Sequence, residues 1–346
     1  MMLLLLILSS PLLAGKFTER SKNINKNYTV SAATMVEVDN AFGTVNVTGW
    51  DQNKVELAVE IKVEAKNEQA AQELLDRISV EIDDKRPESL LSFRTDMEEK
   101  NNYWNKNGER FEINFTLKMP RGNALRVDNR HGETVLGDLS GEMDIETRHG
   151  NLRAGKLSGD VDIEVSFGSL YATQLGEGKL KLRHSSDSEV RMTGALRLDM
   201  EHSELEIDES DAINLSLRHG ELELEKGTVV DGTIQHSNLE VGQLSQGITA
   251  SMQHSSLEID QLAKDFAEVN LDVQFTGVEI GIAQGASFSF EADFSFGDVD
   301  YPSGDFEITH REKEMHTVKY KGKAGSGGDA RIRIDGSHGN ARLRWK

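Results

Sequence analysis

Apolar and polar residues alternate along most of this chain in short runs, and the runs recur. From Leu125 to about Tyr301 each unit carries a flat ring, His or Phe, at a marked position. In most units apolar residues stand four and two positions before it, Gly or Ser one position after it, and apolar residues three and five positions after it. Examples are His202-Ser203-Glu204-Leu205-Glu206-Ile207, His219-Gly220-Glu221-Leu222-Glu223-Leu224 and His236-Ser237-Asn238-Leu239-Glu240-Val241. Period-two alternation is the pattern of a strand with one buried face. Each unit therefore predicts two short strands with apolar side chains pointing inward, joined at a corner where a small residue permits the turn. A second corner is signalled by Leu139-Ser140-Gly141, Leu157-Ser158-Gly159 and Leu244-Ser245-Gln246-Gly247.

The marked residues at 131, 149, 167, 184, 202, 219, 236 and 254 lie 17 or 18 residues apart, and 275 and 296 follow at intervals of 21. A short fixed period is the signature of a repeat architecture. The expectation is an all-β fold, a parallel β-solenoid (β-helix) of 17–21 residue coils, each strand pairing with its copies above and below. At about 4.8 Å per coil, about eleven coils would make a rod roughly 50 Å long.

The ends of the chain depart from the series. Residues 30–50 form a first coil, with Phe42 in the marked position and Val45-Asn46-Val47 after it. The series then pauses over residues 51–120, where strand-like alternation at 55–61, 90–93 and 111–117 surrounds a helical stretch from Glu68 to Ile78, with Ala71, Leu74, Leu75 and Ile78 on one face. This α+β insert is expected to cap the N-terminal end, because an uncovered sheet edge would recruit another chain. Residues 121–346 carry the main body. Within them 303–329 reads as a loop excursion, and the last copy of the motif, Ala330 to Trp345 with His338, is basic where the others are acidic, as befits a C-terminal cap.

The first fifteen residues hold an apolar run, Leu3 to Leu8, then Ser9, Ser10, Pro11 and a small residue, Ala14. This reads as a signal peptide over residues 1–15, although no Lys or Arg precedes the run; a misassigned start or a membrane anchor is the alternative. The run is too short to span a bilayer. The mature protein is then periplasmic, on the outer surface or secreted. The chain has no Cys, which excludes disulfides, thiolate metal sites and a cysteine nucleophile. With 39 Lys and Arg against 59 Asp and Glu, a formal charge of −20 opposes nucleic acid and favours a cationic partner.

In a stacked repeat, equivalent positions form columns, and two columns are candidates for function. The first is the marked position itself: His131, His149, Phe167, His184, His202, His219, His236, His254, Phe275 and Phe296, with Phe42 and His338 at the extremes. Stacked imidazoles could bind metal or respond to pH. Phe replaces His at several levels, and what the two share is a flat ring, so the column is expected to be an inward-facing structural stack. The second is the outward position four after the mark: Glu206, Glu223, Glu240, Glu258, Glu279 and Asp300. At about 4.8 Å in water, like charges repel by roughly 0.9 kcal/mol per pair before salt screening. A bound cation, calcium being the natural choice for carboxylates, or a basic partner would relieve this, although no loop has a calcium-repeat spacing. Otherwise the column simply keeps a β surface soluble. No P-loop, His-Glu-x-x-His helix or Gly-x-Ser-x-Gly elbow is present, and no cofactor is implied.

The signal-like start, the Val45-Asn46-Val47-Thr48-Gly49-Trp50 coil, the insert with its short helix and the His-Gly-Glu-Leu coils together resemble the bacterial adhesin-like family of exported β-helix proteins. The resemblance covers nearly all of residues 30–346 and rests on motifs of fold. It implies a secreted or surface-associated binding protein with no established enzymatic activity. The expectation drawn for this chain is an exported, non-enzymatic protein presenting a flat, repetitive sheet face to a cell-envelope or extracellular protein or glycan. Two other readings are weighed against it: a polysaccharide-active β-helix enzyme, which would need clustered acid and base residues, and a self-associating structural solenoid.

Overall fold

The structure is a computed structural model, and it describes residues 17–97, 108–302, 304 and 306–346. The expected signal peptide, residues 1–15, lies outside the described residues. Among the described residues the chain is all β but for one helix, Glu68–Asp76, and its strands join into one extended, mostly parallel sheet.

The repeats pair as their alternation predicts. Leu125–Arg130 pairs in parallel with Met143–Arg148, which pairs with Val161–Ser166, which pairs with Gly178–Arg183. Across the first corner Thr134–Leu136, Leu152–Leu157 and Leu170–Leu175 stack in the same way. From Ser188 onward the second corner is smooth enough that one strand runs through it. Ser188–Glu201, Glu204–Arg218, Glu221–Gln235 and Asn238–Gln253 each carry one face, the corner and the next face.

Because the pairings are in register, inward residues form aliphatic columns. One of them runs Ile145, Ile163, Leu180, Leu198 and Leu215, each 0–2% exposed. Burying such a side chain stabilises by about 1.5–3 kcal/mol, so the period of the sequence and the core of the fold are the same fact.

The segment 51–120 does more than interrupt the series. Its strands Leu90–Met97 and Arg110–Pro120 pair in parallel with Met35–Asn40 and Val45–Trp50, forming a further level of the same sheet. Residues 98–107, which join these two strands in the sequence, lie outside the described residues. Lys54–Ala65 then runs antiparallel to Arg110–Pro120 and to Thr18–Thr29. The helix lies against Thr18–Thr29 and Lys54–Ala65, burying Ala71, Leu74 and Leu75. Its N-terminus is capped by the Asn67 side chain, which accepts from the Ala70 N–H at 2.8 Å. The helix stops at Asp76, and Ile78 instead opens the strand Ile78–Arg86.

The C-terminal end corrects two expectations. Residues 303–329 are not a loop excursion: Phe306–Lys313 and Thr317–Ala324 form an antiparallel pair, and Thr317–Ala324 also pairs with Phe288–Ser295. Phe306, Val318, Tyr320 and Ala324 are buried, an apolar alternation masked in the sequence by the surrounding charges. Nor does the basic tail close the end. Ala330–Ser337 and Asn340–Trp345 insert between the level of Glu268–Gln274 and Gly277–Ile282 and that of Phe288–Ser295 and Asp298–Asp300. The spatial order of the last repeats therefore differs from their order in the chain.

Candidate functional site

The marked residues have one backbone conformation in common. His131, His149, Phe167, His184, His202, His219, His236, His254, Phe275, Phe296 and His338 all have φ between 49° and 59°, the left-handed region. That conformation turns the chain through the corner and aims the ring outward. The expectation of an inward-facing stack is thus corrected: every one of these His residues is exposed, and Phe167, Phe275 and Phe296 are 52%, 45% and 55% exposed. The inward place belongs to the following residue. Ser185, Ser203 and Ser237 are 0–4% exposed, and the Ser203 and Ser237 hydroxyls donate to the carbonyls of Glu201 and Gln235. Where Gly holds that place, as at Gly150, a Cβ would meet the Gly132 carbonyl oxygen at 1.9 Å.

The rings do stack. Neighbouring centroids lie 4.6–5.0 Å apart with planes within 25° of parallel, from Phe42 through His131, His149, Phe167, His184, His202, His219, His236, His254 and Phe275. The column continues through His338, Phe296 and His316, so the inserted tail supplies its ring at the level it occupies. Ring faces are covered by neighbours, and only the edges meet solvent. Two imidazoles sharing one zinc-like ion need nitrogens within about 4 Å, twice a metal–nitrogen bond, whereas these parallel rings repeat at 4.9–5.0 Å in the run from His184 to His254. Burial, then His149 and Arg130, pushes the His131 pKa below its ordinary value.

The acidic column is partly as expected. Glu206, Glu223, Glu240, Glu258 and Glu279 are direct neighbours on successive levels. Asp300 is not next to Glu279: Arg342 of the inserted tail stands between them, 3.7 Å from Glu279 and 3.6 Å from Asp300. Arg344 bridges Glu258 and Glu279, and Lys346 reaches Asp260 at 3.0 Å. At the other end the column extends to Glu189, which pairs with Glu206. Counting from the mark misses Glu189 because the corner there holds an extra residue, with Asp187 at φ 55°; the alternation Ser188-Glu189-Val190 is the signal that recovers it.

The carboxylates the tail does not reach remain crowded. Glu206 is held above the usual carboxylate range by burial and then by Glu223, Asp208, Glu189 and Glu225. Glu240 is raised by burial and then by Glu221, Glu223, Glu258 and Asp260. An open depression of about 610 Å³ passes Glu240, Glu258, Glu279 and Arg342. Among the described residues no group of three or more His, Cys, Asp or Glu is arranged to hold a metal ion, and no helix is long and apolar enough to cross a membrane.

The opposite face is laced by ion pairs over its first levels. Arg130 binds Asp39 at 2.7 Å, Arg148 binds Asp128 at 3.0 Å, Lys181 binds Glu164 at 3.2 Å and Arg183 binds Asp199 at 2.8 Å. The columns on this face were not singled out from the sequence, because no single residue type persists along them.

No family model matches the chain, and no curated protein matches it. Among solved structures it is similar to a putative cell adhesion protein from Clostridium sporogenes, at 11% identity over 96% of this chain and 100% of that one with a TM-score of 0.18. It is also similar to a putative adhesin from Parabacteroides distasonis, at 13% identity over 93% and 97% with a TM-score of 0.31. A third is a putative lipid binding protein from Parabacteroides distasonis, at 12% identity over 75% and 95% with a TM-score of 0.36. Scores this low carry no argument, and the functional reading rests on the geometry above.

Proposed function

We propose that this chain is an exported, non-enzymatic binding protein, built as a β-solenoid, that presents a flat, repetitive sheet face to a cell-envelope or extracellular macromolecule. The observation that carries this reading is the register. Outward side chains recur at one strand spacing along columns such as Glu206, Glu223 and Glu240, a layout that suits a long, repetitive ligand better than a small one. Catalysis would instead call for converging acid and base groups. Charge-rich strands among those that end the sheet, such as Thr18–Thr29, Ile78–Arg86 and Phe306–Lys313, oppose end-to-end polymerisation.

The test is a quantitative pull-down of envelope proteins and glycans by the mature protein, beside the Glu206→Gln, Glu223→Gln, Glu240→Gln variant, with retained polymers assayed for cleavage. The reading expects a retained, uncleaved partner. A basic partner would be lost by the variant. Polymer cleavage would overturn the reading in favour of an enzyme, and nothing retained together with concentration-dependent sedimentation would favour a structural polymer.

A further inference from the structure

The connection from Gly277–Ile282 to Phe288–Ser295, residues 283–287, climbs two levels instead of one, and the tail fills the slot left between them. The slot is demanding. Ile332, Ile334, Ala341 and Leu343 point inward and are 0–2% exposed. Trp345 packs against Phe288 and Phe306, and His338 takes its place in the ring column between Phe275 and Phe296. On the outside Arg331 pairs with Glu268, Arg342 with Glu279 and Asp300, Arg344 with Glu258 and Glu279, and Lys346 with Asp260.

One short connection delivers the tail into this slot. Thr317–Ala324 and Ala330–Ser337 pair with opposite sides of the same strand, Phe288–Ser295, and Ala324 and Ala330 are both partners of Phe288. Residues 325–329 therefore arch over the start of that strand and cross two strand spacings. The arch turns back through left-handed glycines, Gly325 at φ 58° and Gly327 at φ 70°. It is tied down where the Ser326 N–H donates to the Ser287 Oγ at 3.3 Å, and so closely that a Cβ on Gly325 would lie 2.5 Å from the same oxygen. A short hinge folded back this tightly invites two copies to exchange the segment beyond it. The exchanged segment makes the same contacts, and the hinge is free to run extended.

We propose that the slot accepts the tail of a second copy of this chain, so that two copies exchange residues 330–346 and form a closed dimer. A second copy is the occupant that fits, because a foreign strand would have to reproduce the inward Ile and Leu residues, the ring at the corner and the outward arginines together. Charge points the same way. The tail holds five basic residues, Arg331, Arg333, Arg342, Arg344 and Lys346, against one acidic residue, Asp335, in a chain of −20 net charge. Two copies repel one another overall but attract where a tail meets Glu258, Glu279 and Asp300. Exchange does not depend on what the sheet face binds. It joins two such faces in one particle, which raises avidity for a repetitive ligand long enough to reach both.

The experiment uses full mature chains carrying one cysteine each, since the natural chain has none. Asn270 and Arg333 are direct neighbours across one edge of the slot, and neither is a core residue. Chains with Asn270→Cys and chains with Arg333→Cys are unfolded together in urea, refolded over a range of concentrations and oxidised. A chain carrying both substitutions is treated in the same way. The expected result is a disulfide between the two single-cysteine chains, located at positions 270 and 333 by mass spectrometry, with a yield that rises with concentration. Wild type refolded at the highest concentration should sediment in part as a discrete dimer. Inserting a second copy of residues 325–328 into the hinge should abolish both products, because the longer hinge reaches its own slot without the tight arch. A link that forms within the double-cysteine chain but never between the single-cysteine chains would overturn the proposal. A continuous series of larger species in place of the dimer would overturn the closed exchange.

Discussion

Each marked ring resolves a conflict between backbone and side chain. A left-handed conformation costs a residue with a Cβ about 1–2 kcal/mol, and Asn or Gly would adopt it with less strain. His and Phe are retained because a ring here meets one ring above and one below, and an aromatic contact of this kind contributes about 0.5–1.5 kcal/mol. His219, at 4.9 Å from His202 and 5.0 Å from His236, should therefore tolerate Phe but not Ala. His219→Ala keeps the strained backbone and loses both contacts, so urea unfolding should show a loss of about 1–2 kcal/mol, whereas His219→Phe should stay close to wild type. The identity of the column was legible in the sequence, since the His and Phe exchange reveals the shared ring. Its outward direction was not, because direction depends on φ, and a His-Gly or His-Ser pair does not declare which of its two residues turns the corner.

The same column gives a pH dependence of definite sign. The folded pKa of His131 lies below its ordinary value because burial, His149 and Arg130 disfavour the imidazolium. The unfolded chain then binds protons more readily, so this contribution is present above about pH 6.5 and is lost as pH falls below it. Thermal melts of wild type and His131→Phe between pH 7.5 and 5 should converge at neutral pH and separate in acid, the Phe variant losing less stability. Parallel curves would remove His131 as a source of acid sensitivity.

At the scale of elements, the parallel ladder was readable because inward parity and period agree over many repeats, and each error would turn apolar residues to solvent. The position of the tail was not readable. Its His338-Gly339-Asn340 motif fits any level of the stack, and its placement follows from partners distant in sequence: Arg342 and Arg344 among Glu258, Glu279 and Asp300, and Ala330–Ser337 along both Glu268–Gln274 and Phe288–Ser295. The chain contains no Cys, which makes the order of levels directly measurable. Glu279→Cys with Arg342→Cys, and Asp300→Cys with Arg342→Cys, join direct neighbours and should oxidise to disulfides. Glu279→Cys with Asp300→Cys spans two strand spacings, about 9.6 Å, and should not. Efficient cross-linking of that last pair would mean that the repeats stack in chain order.

At the scale of the molecule, the two sheet faces are chemically different although one repeat builds both. One carries a column of carboxylates from Glu189 to Glu279, whose far end is neutralised by the chain's own Arg342 and Arg344. The other is laced by ion pairs over its first levels, Arg130 with Asp39, Arg148 with Asp128 and Arg183 with Asp199. The acidic column could be seen in the sequence because one residue type persists along it. The ion-paired columns of the other face could not, because their members differ from repeat to repeat and only the register brings them side by side. The central claim is that a repetitive face binds a repetitive ligand, and the most direct measurement is affinity against ligand length, by titration calorimetry with size-fractionated fragments of the retained polymer. The account predicts that affinity climbs steeply with each added unit until the fragment spans the face, then levels off, with the fragments recovered intact. A short fragment that binds as tightly as the full polymer, or fragments recovered cleaved, would contradict it.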